Sequence, residues 1–203
     1  MFEDTYLIID AFAEGLYKEK GSRFIALAYP VRTEAEVKDI LAALRRSYHD
    51  ARHHCYSYVL GYNKSTFRVN DDGEPSGTAG KPIYGQILSA DLTNILIVVV
   101  RYFGGTLLGV SGLIRAYKLA AKDAIDNAKI VEKTVNDVYS VTFDYNAMND
   151  VMKCLKEYEV AFINQQYDLT SAITFSIRKN FSNKIFEALK KIVGLKINYE
   201  RTI

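Results

Sequence analysis

Residues 95–100 read Ile-Leu-Ile-Val-Val-Val, six apolar residues with no polar neighbour among them. The run is far short of the ~20 residues needed to cross a bilayer. It is also too continuous for a strand with one wet face. It reads as a central strand covered on both faces, so the chain must build layers of other elements around it. With 203 residues, 49% hydrophobic and 25% charged, the chain is long enough for one large domain or two small ones. That profile excludes disordered, collagen-like and coiled-coil architectures.

The second half has the clearer order. Tyr139, Val141, Phe143 and Tyr145 alternate with polar residues as a half-buried strand. Met148, Val151, Met152, Leu155 and Tyr158 follow at helical spacing. Strands over 160–167 and 169–177 come next, then a helix marked by Ile185, Phe186, Leu189 and Ile192 and stopped at Gly194. Leu195, Ile197 and Tyr199 alternate as a last strand. The order β-α-β-β-α-β is the ferredoxin-like motif. Its open sheet face would carry Ser140, Thr142, Thr174 and Ser176, with no RNP1 pattern, which argues against base stacking by this half.

In the first half, strands are expected at 6–14 and 24–29. Thr33 with Glu36 reads as a capping box. It opens a helix striped by Val37, Ile40, Leu41, Leu44 and Tyr48. Strands at 53–62 and 66–70, a loop at 71–82, a short helix at 83–90, the central strand and a long helix at 110–128 complete it. We place the domain boundary at 133/134. Charge does not separate the halves: residues 1–133 hold 17 basic and 16 acidic residues, and 134–203 hold 9 and 8. A formal net charge of +2 gives no bulk electrostatic reason for tight nucleic-acid binding. Cys55 and Cys154 are too few and too distant for a disulfide framework, and the acidic start at residues 1–4 is unlike a secretory signal. A cytoplasmic protein without membrane spans is expected.

Three segments hold residues that carry chemistry. The loop 71–82, DDGEPSGTAGKP, sets Asp71, Asp72 and Glu74 among glycines that permit unusual backbone angles. Carboxylate oxygens suit magnesium or calcium, yet the spacing is not that of an EF-hand, and no GK[ST] makes it a P-loop. An ordered surface loop held by Asx-turns and prolines is the plainer reading, and a binding surface for another macromolecule stands ahead of a metal site. The segment RYFGGTLLGVSG, 101–112, runs from a strand into a helix N-terminus, where an anion is favoured. Gly104 and Gly105 either turn the chain there or approach a phosphate. At about 100° per residue, Arg115, Lys118, Lys122 and Lys129 form one stripe of the helix, opposite Leu113, Tyr117, Ala121, Ala124 and Ala128. Asp126 sits beside Lys122 and Lys129, so part of that stripe is an ion-pair ladder. Finally, in Arg52-His53-His54-Cys55, His53 and Cys55 share one strand face and His54 the other. The three cannot all ligate one metal.

The segments Arg52-His53-His54-Cys55, DDGEPSGTAGKP and RYFGGTLLGVSGLIRAY are long, unusual and in the same order as in the IMPACT/YigZ family, which the chain resembles over most of residues 1–130. The resemblance implies an α+β protein of two domains. The first would have the α/β fold of ribosomal protein S5 domain 2. The second would be ferredoxin-like, similar to a domain of elongation factor G and carried by bacterial YigZ-like members. Eukaryotic members add an RWD domain and bind the activator of a translation-factor kinase; this chain leaves no room for that domain, so the partnership is not expected to transfer.

The leading expectation is a non-enzymatic binding protein in translation or its regulation, contacting RNA, the ribosome or a protein partner. Lys81, Arg101, Arg115 and Lys118 would meet phosphate or an acidic surface. Asp71, Asp72, Glu74, His54, Gly104 and Gly105 would shape that surface or meet a basic partner. No catalytic residue, metal ligand or cofactor is assigned. Two other readings stand beside it. One is a hydrolase or transferase using the loop carboxylates with a divalent metal, or Cys55 with His53. The other is a protein–protein adaptor whose loops are scaffolding.

Overall fold

The computed structural model describes residues 4–168 and 170–203. Met1 to Glu3 of the acidic start, and Leu169 at the start of the strand expected over 169–177, lie outside the described residues. The chain has a mixed α/β fold with five α-helices among the described residues. It divides into two compact units: Tyr6–Lys133, and Thr134–Ile203 joined by the N-terminal segment up to Thr5. Asp4 explains why the N-terminal segment belongs with the later residues. Its carboxylate accepts two hydrogen bonds of 2.7 Å from the Arg178 guanidinium, and its carbonyl accepts the Val135 N–H.

In the unit Tyr6–Lys133, the strand expected at 6–14 is two strands, β1 (Thr5–Ile9) and β2 (Ala13–Glu19). Then follow β3 (Ser22–Pro30), α1 (Glu34–Ser47), β4 (His53–Leu60), β5 (Thr66–Asn70), α2 (Gly80–Ser89), β6 (Ile95–Tyr102), α3 (Gly109–Asp126) and β7 (Ile130–Thr134). The main sheet has the order β2-β3-β6-β4-β5, while β1 and β7 pair separately. Thus β6 is central, antiparallel to β3 on one side and β4 on the other. Its residues 95–100 are fully buried. Leu96, Val98 and Val100 face a core with Val37 and Leu44 of α1. Ile95, Ile97 and Val99 face Ile83 and Ile87 of α2 and Ala116, Tyr117 and Ala120 of α3. The run is therefore covered on both faces, as its composition requires.

Thr33 caps α1, its hydroxyl accepting the Glu36 N–H at 3.2 Å. The Glu36 carboxylate reaches one residue beyond the usual box and accepts the Arg32 N–H at 2.7 Å. Helix α2 begins at Gly80, three residues before the expected start, so Lys81 and Pro82 lie in its first turn. Proline is tolerated there, where an N–H would have no intrahelical partner.

The second unit contains β8 (Asn136–Asp144), α4 (Met148–Glu157), β9 (Ala161–Gln166), β10 (Thr170–Arg178), α5 (Ser182–Leu189) and β11 (Lys196–Thr202). The sheet order is β11-β8-β10-β9, and its pairs are antiparallel. Tyr139, Val141, Phe143, Ile173, Phe175 and Ile177 pack beneath Val151 and Leu155 of α4 and Ile185 and Leu189 of α5. Tyr145 corrects the expected alternation. It has left the strand for a 3-10 turn and is 73% exposed.

Candidate functional site

The loop after β5 is built around Asp71. One carboxylate oxygen accepts the N–H groups of Ala79 at 3.0 Å and Gly80 at 2.8 Å, and the other accepts that of Gly77 at 2.8 Å. This carboxylate caps α2 from nine residues upstream, which is why the helix starts early. Burial pushes the Asp71 carboxyl up, but the N–H donors of Gly77, Gly80 and Ala79 outweigh it and hold the group below its ordinary value. Gly77 sits at φ +79°, where other residues are strained. Asp72 ties the loop to the opposite side of the sheet: it accepts the His54 N–H at 2.7 Å and pairs with Arg45 of α1 at 2.8 Å. Its carbonyl lies 2.9 Å from Nδ1 of His53.

Glu74 points inward. Its Oε1 accepts Nη1 of Arg101 at 2.6 Å and the Tyr117 hydroxyl at 2.7 Å. The two charged side chains are only 7% and 4% exposed. The rings of Phe24 and Phe103 lie 5.5 and 5.7 Å from the Arg101 guanidinium carbon. The Cys55 thiol lies 2.9 Å from the Asp71 carbonyl and 3.3 Å from the Tyr117 hydroxyl. Residues from β4, the loop, β6 and α3 thus meet in one buried network.

That network engages the loop's carboxylates and the Cys55 thiol. All three loop carboxylates are engaged by N–H, guanidinium or hydroxyl donors. Among the described residues, no three His, Cys, Asp or Glu side chains are grouped to hold a metal ion. Burial pushes the Cys55 thiol up to about 12, with the Glu74 carboxylate adding to the effect. The group is therefore a protonated thiol at neutral pH, the opposite of an activated nucleophile. Iodoacetamide added to the native protein at pH 8 is expected to modify Cys154, which is half-buried, and to leave Cys55 intact. Peptide mapping before and after denaturation reads this, and rapid native labelling of Cys55 would contradict it.

His54 lies on the other sheet face, buried, with neither ring nitrogen hydrogen-bonded. Burial and the Arg45 guanidinium lower its pKa, partly opposed by Asp72. The unfolded chain then binds this proton at higher pH than the folded one does. Stability is accordingly lost as pH falls below about 6.5, down to the depressed folded value. Asp71 and Asp72, also lowered, remove more only below about pH 4. Urea unfolding of His54→Gln should show a flatter slope between pH 6.5 and 5 than the parent; equal slopes would contradict this.

Of the residues expected to face phosphate, Arg101 is corrected by the structure. Strand parity places it on the α3 side with Ile97 and Val99, and Glu74 occupies its charge. Arg115 is exposed but pairs with Glu19. Lys122 pairs with Asp126 and Lys129 with Asp10. Lys81 and Lys118 are exposed. Gly104 lets the turn approach the β2–β3 turn, because an added Cβ would come within 1.9 Å of the Gly21 backbone. Gly105 turns the chain at φ +88°.

Two features escape the sequence reading. Tyr117 lies on the apolar stripe of α3, yet its hydroxyl needs a buried partner, and Glu74 supplies it. The second is an uncovered apolar stripe. Leu107 is 82% and Val110 59% exposed, and Phe103 and Ile114 are exposed as well. Val110, Ile114 and Lys118 are spaced four residues apart along one side of α3. No acidic residue occurs from 103 to 122, whereas Arg115, Lys118 and Lys122 do.

Residues 20–125 match the family described as the Impact N-terminal domain. The chain is 35% identical to the IMPACT family member YigZ of Escherichia coli over 81% of each chain. It is 34% identical to the IMPACT family member YvyE of Bacillus subtilis over 77% of this chain and 72% of that one. A crystal structure described only as that of a hypothetical protein superposes with a TM-score of 0.74 at 27% identity, covering 98% of this chain and 99% of the other. The matched family domain spans the whole cluster around Glu74 and Arg101, and the chain belongs to the IMPACT family.

Proposed function

We propose that the chain is a non-enzymatic cytoplasmic binding protein of translation or its regulation. It docks a protein partner on the stripe that runs from Leu107 through Val110 and Ile114 to Lys118. The observation that carries this reading is the stripe itself: large apolar side chains left uncovered at the start of an 18-residue helix. Large apolar side chains exposed close together in sequence at a helix start, with Arg115 and Lys118 nearby, fit an interaction site. The buried network supports the same reading, since its carboxylates and thiol are engaged by backbone, guanidinium and hydroxyl groups of the same domain. On this reading they serve as scaffolding.

The place in translation rests on fold likeness and resemblance. Residues 1–133 are read as a ribosomal protein S5 domain 2-like domain. The β-α-β-β-α-β element order with sheet order β11-β8-β10-β9 supports reading residues 134–203 as ferredoxin-like, and the likeness to a domain of elongation factor G comes from the resemblance alone. Fold alone does not fix function. No helix among the described residues is long and apolar enough to cross a membrane.

RNA is the competing partner, through Lys81, Lys118 and Arg115. Cosedimentation with purified ribosomes and with their nuclease-treated protein fraction separates the two. A protein contact should survive nuclease and fall at least about tenfold in Leu107→Glu/Val110→Glu, since two buried apolar anchors are lost. Binding that vanishes with nuclease and drops steeply with salt would instead establish phosphate contact. Turnover of a defined substrate would reject both.

A further inference from the structure

Edge strands leave a row of backbone N–H and C=O groups unpaired, and proteins protect them with charges, proline or covering elements. The two larger sheets have four edges. β2 carries Glu14, Lys18 and Glu19, β5 carries Arg68, and β11 carries Lys196, Glu200 and Arg201. β9 reads Ala-Phe-Ile-Asn-Gln-Gln and carries no charge. All six of its residues are exposed. The uncharged stretch extends on both sides, from Val160 to Tyr167. Ile163 is an extra residue in the pairing with β10, beyond which Asn164, Gln165 and Gln166 face Thr174, Ile173 and Ala172 in regular antiparallel register. The bulge bends the edge at Ile163 and leaves 164–166 as its regular open part.

We propose that β9 pairs antiparallel with β9 of a second copy of this chain, joining two four-stranded sheets into one of eight. A two-fold pairing centred on Gln165 sets Asn164 against Gln166 of the second copy, so two amides meet on that face and no charge is involved. Charged side chains protect an edge from such pairing, and β2, β5 and β11 each carry them. Pairing over so few residues buries far less than about 1,200 Å², so the dimer is weak, with a dissociation constant on the order of 0.1 mM.

Sedimentation of the full chain under reducing conditions, from a few micromolar to about 0.5 mM, tests this. Asn164 and Gln166 lie on the sheet face away from α4 and α5, opposite Thr174 and Ala172, so substitutions there leave the core untouched. Asn164→Lys/Gln166→Lys and Asn164→Glu/Gln166→Glu should each weaken self-association at least about tenfold. An equimolar mixture of the two should restore it as a heterodimer. Matching melting curves establish that the variants fold. A monomer at every concentration overturns the proposal. A dimer unaffected by either charged pair, or a mixture that stays monomeric, overturns it too. None of these outcomes bears on the Leu107 stripe.

Discussion

Glu74→Ala is expected to destabilise the Tyr6–Lys133 unit by about 3–5 kcal/mol, because it leaves the Arg101 guanidinium buried without its counter-charge. The loss has two parts. Arg101 cannot reach water without displacing Phe24 or Phe103, whose rings flank it. Tyr117 also loses the acceptor for a hydroxyl buried between α3 and the sheet. At this size the melting temperature should fall by about 10 °C or more. The counterpart is a double substitution. Glu74→Leu with Arg101→Met removes both charges and should recover the part of the loss due to Arg101, since apolar replacement of a buried pair is often close to neutral, while the part due to the Tyr117 hydroxyl remains. A Glu74→Ala protein within about 1 kcal/mol of the parent would mean that the pair is solvated. The scaffold assignment would then fall.

Gly104→Ala is the second large effect. The turn between β6 and α3 lies directly on the β2–β3 turn, with the Gly104 N–H donating to the Ser22 hydroxyl at 3.0 Å. A Cβ at Gly104 would meet the Gly21 carbonyl carbon at 1.9 Å and the Ser22 nitrogen at 2.1 Å. Both are backbone atoms, and no rotamer can relieve the clash. One of the two turns must move, at a cost of about 3 kcal/mol or more. Gly105→Ala is the informative control: its Cβ would meet nothing within 4 Å, and only its φ of +88° opposes the change. A loss of about 1 kcal/mol is expected there. Thermal or urea unfolding reads both variants, and equal losses would show that contact between the turns is not the constraint.

The architecture was legible wherever period and composition agreed. The six apolar residues at 95–100 announced a strand buried on both faces. The alternation Tyr139, Val141, Phe143 announced the floor of the second unit. Elements were misread where the deciding contact is distant in sequence. α2 begins at Gly80 because of Asp71, nine residues earlier. The strand expected at 6–14 divides at Asp10 to Phe12, a break that alternation alone does not mark.

At the candidate site, residues from three segments singled out in the sequence meet in one buried network, and Arg101 lies inside it and not at the surface. Arg101 sits two residues beyond Val99, so period-2 parity already put it on the buried face; its charge drew attention toward solvent instead. Glu74 meets Arg101 across 27 residues and Tyr117 across 43, pairings that only the sheet register creates. The Leu107–Ile114 stripe was invisible for a different reason. Helical spacing shows that a stripe is apolar, but not where its cover ends.

The most direct test replaces Leu107 with the photo-reactive p-benzoylphenylalanine in the full chain, with the same residue at the exposed Lys38 of α1 as control. Irradiation in cells is predicted to give a discrete nuclease-resistant protein adduct from position 107 and none from 38. Adducts to RNA alone, or identical patterns from the two positions, would contradict the account.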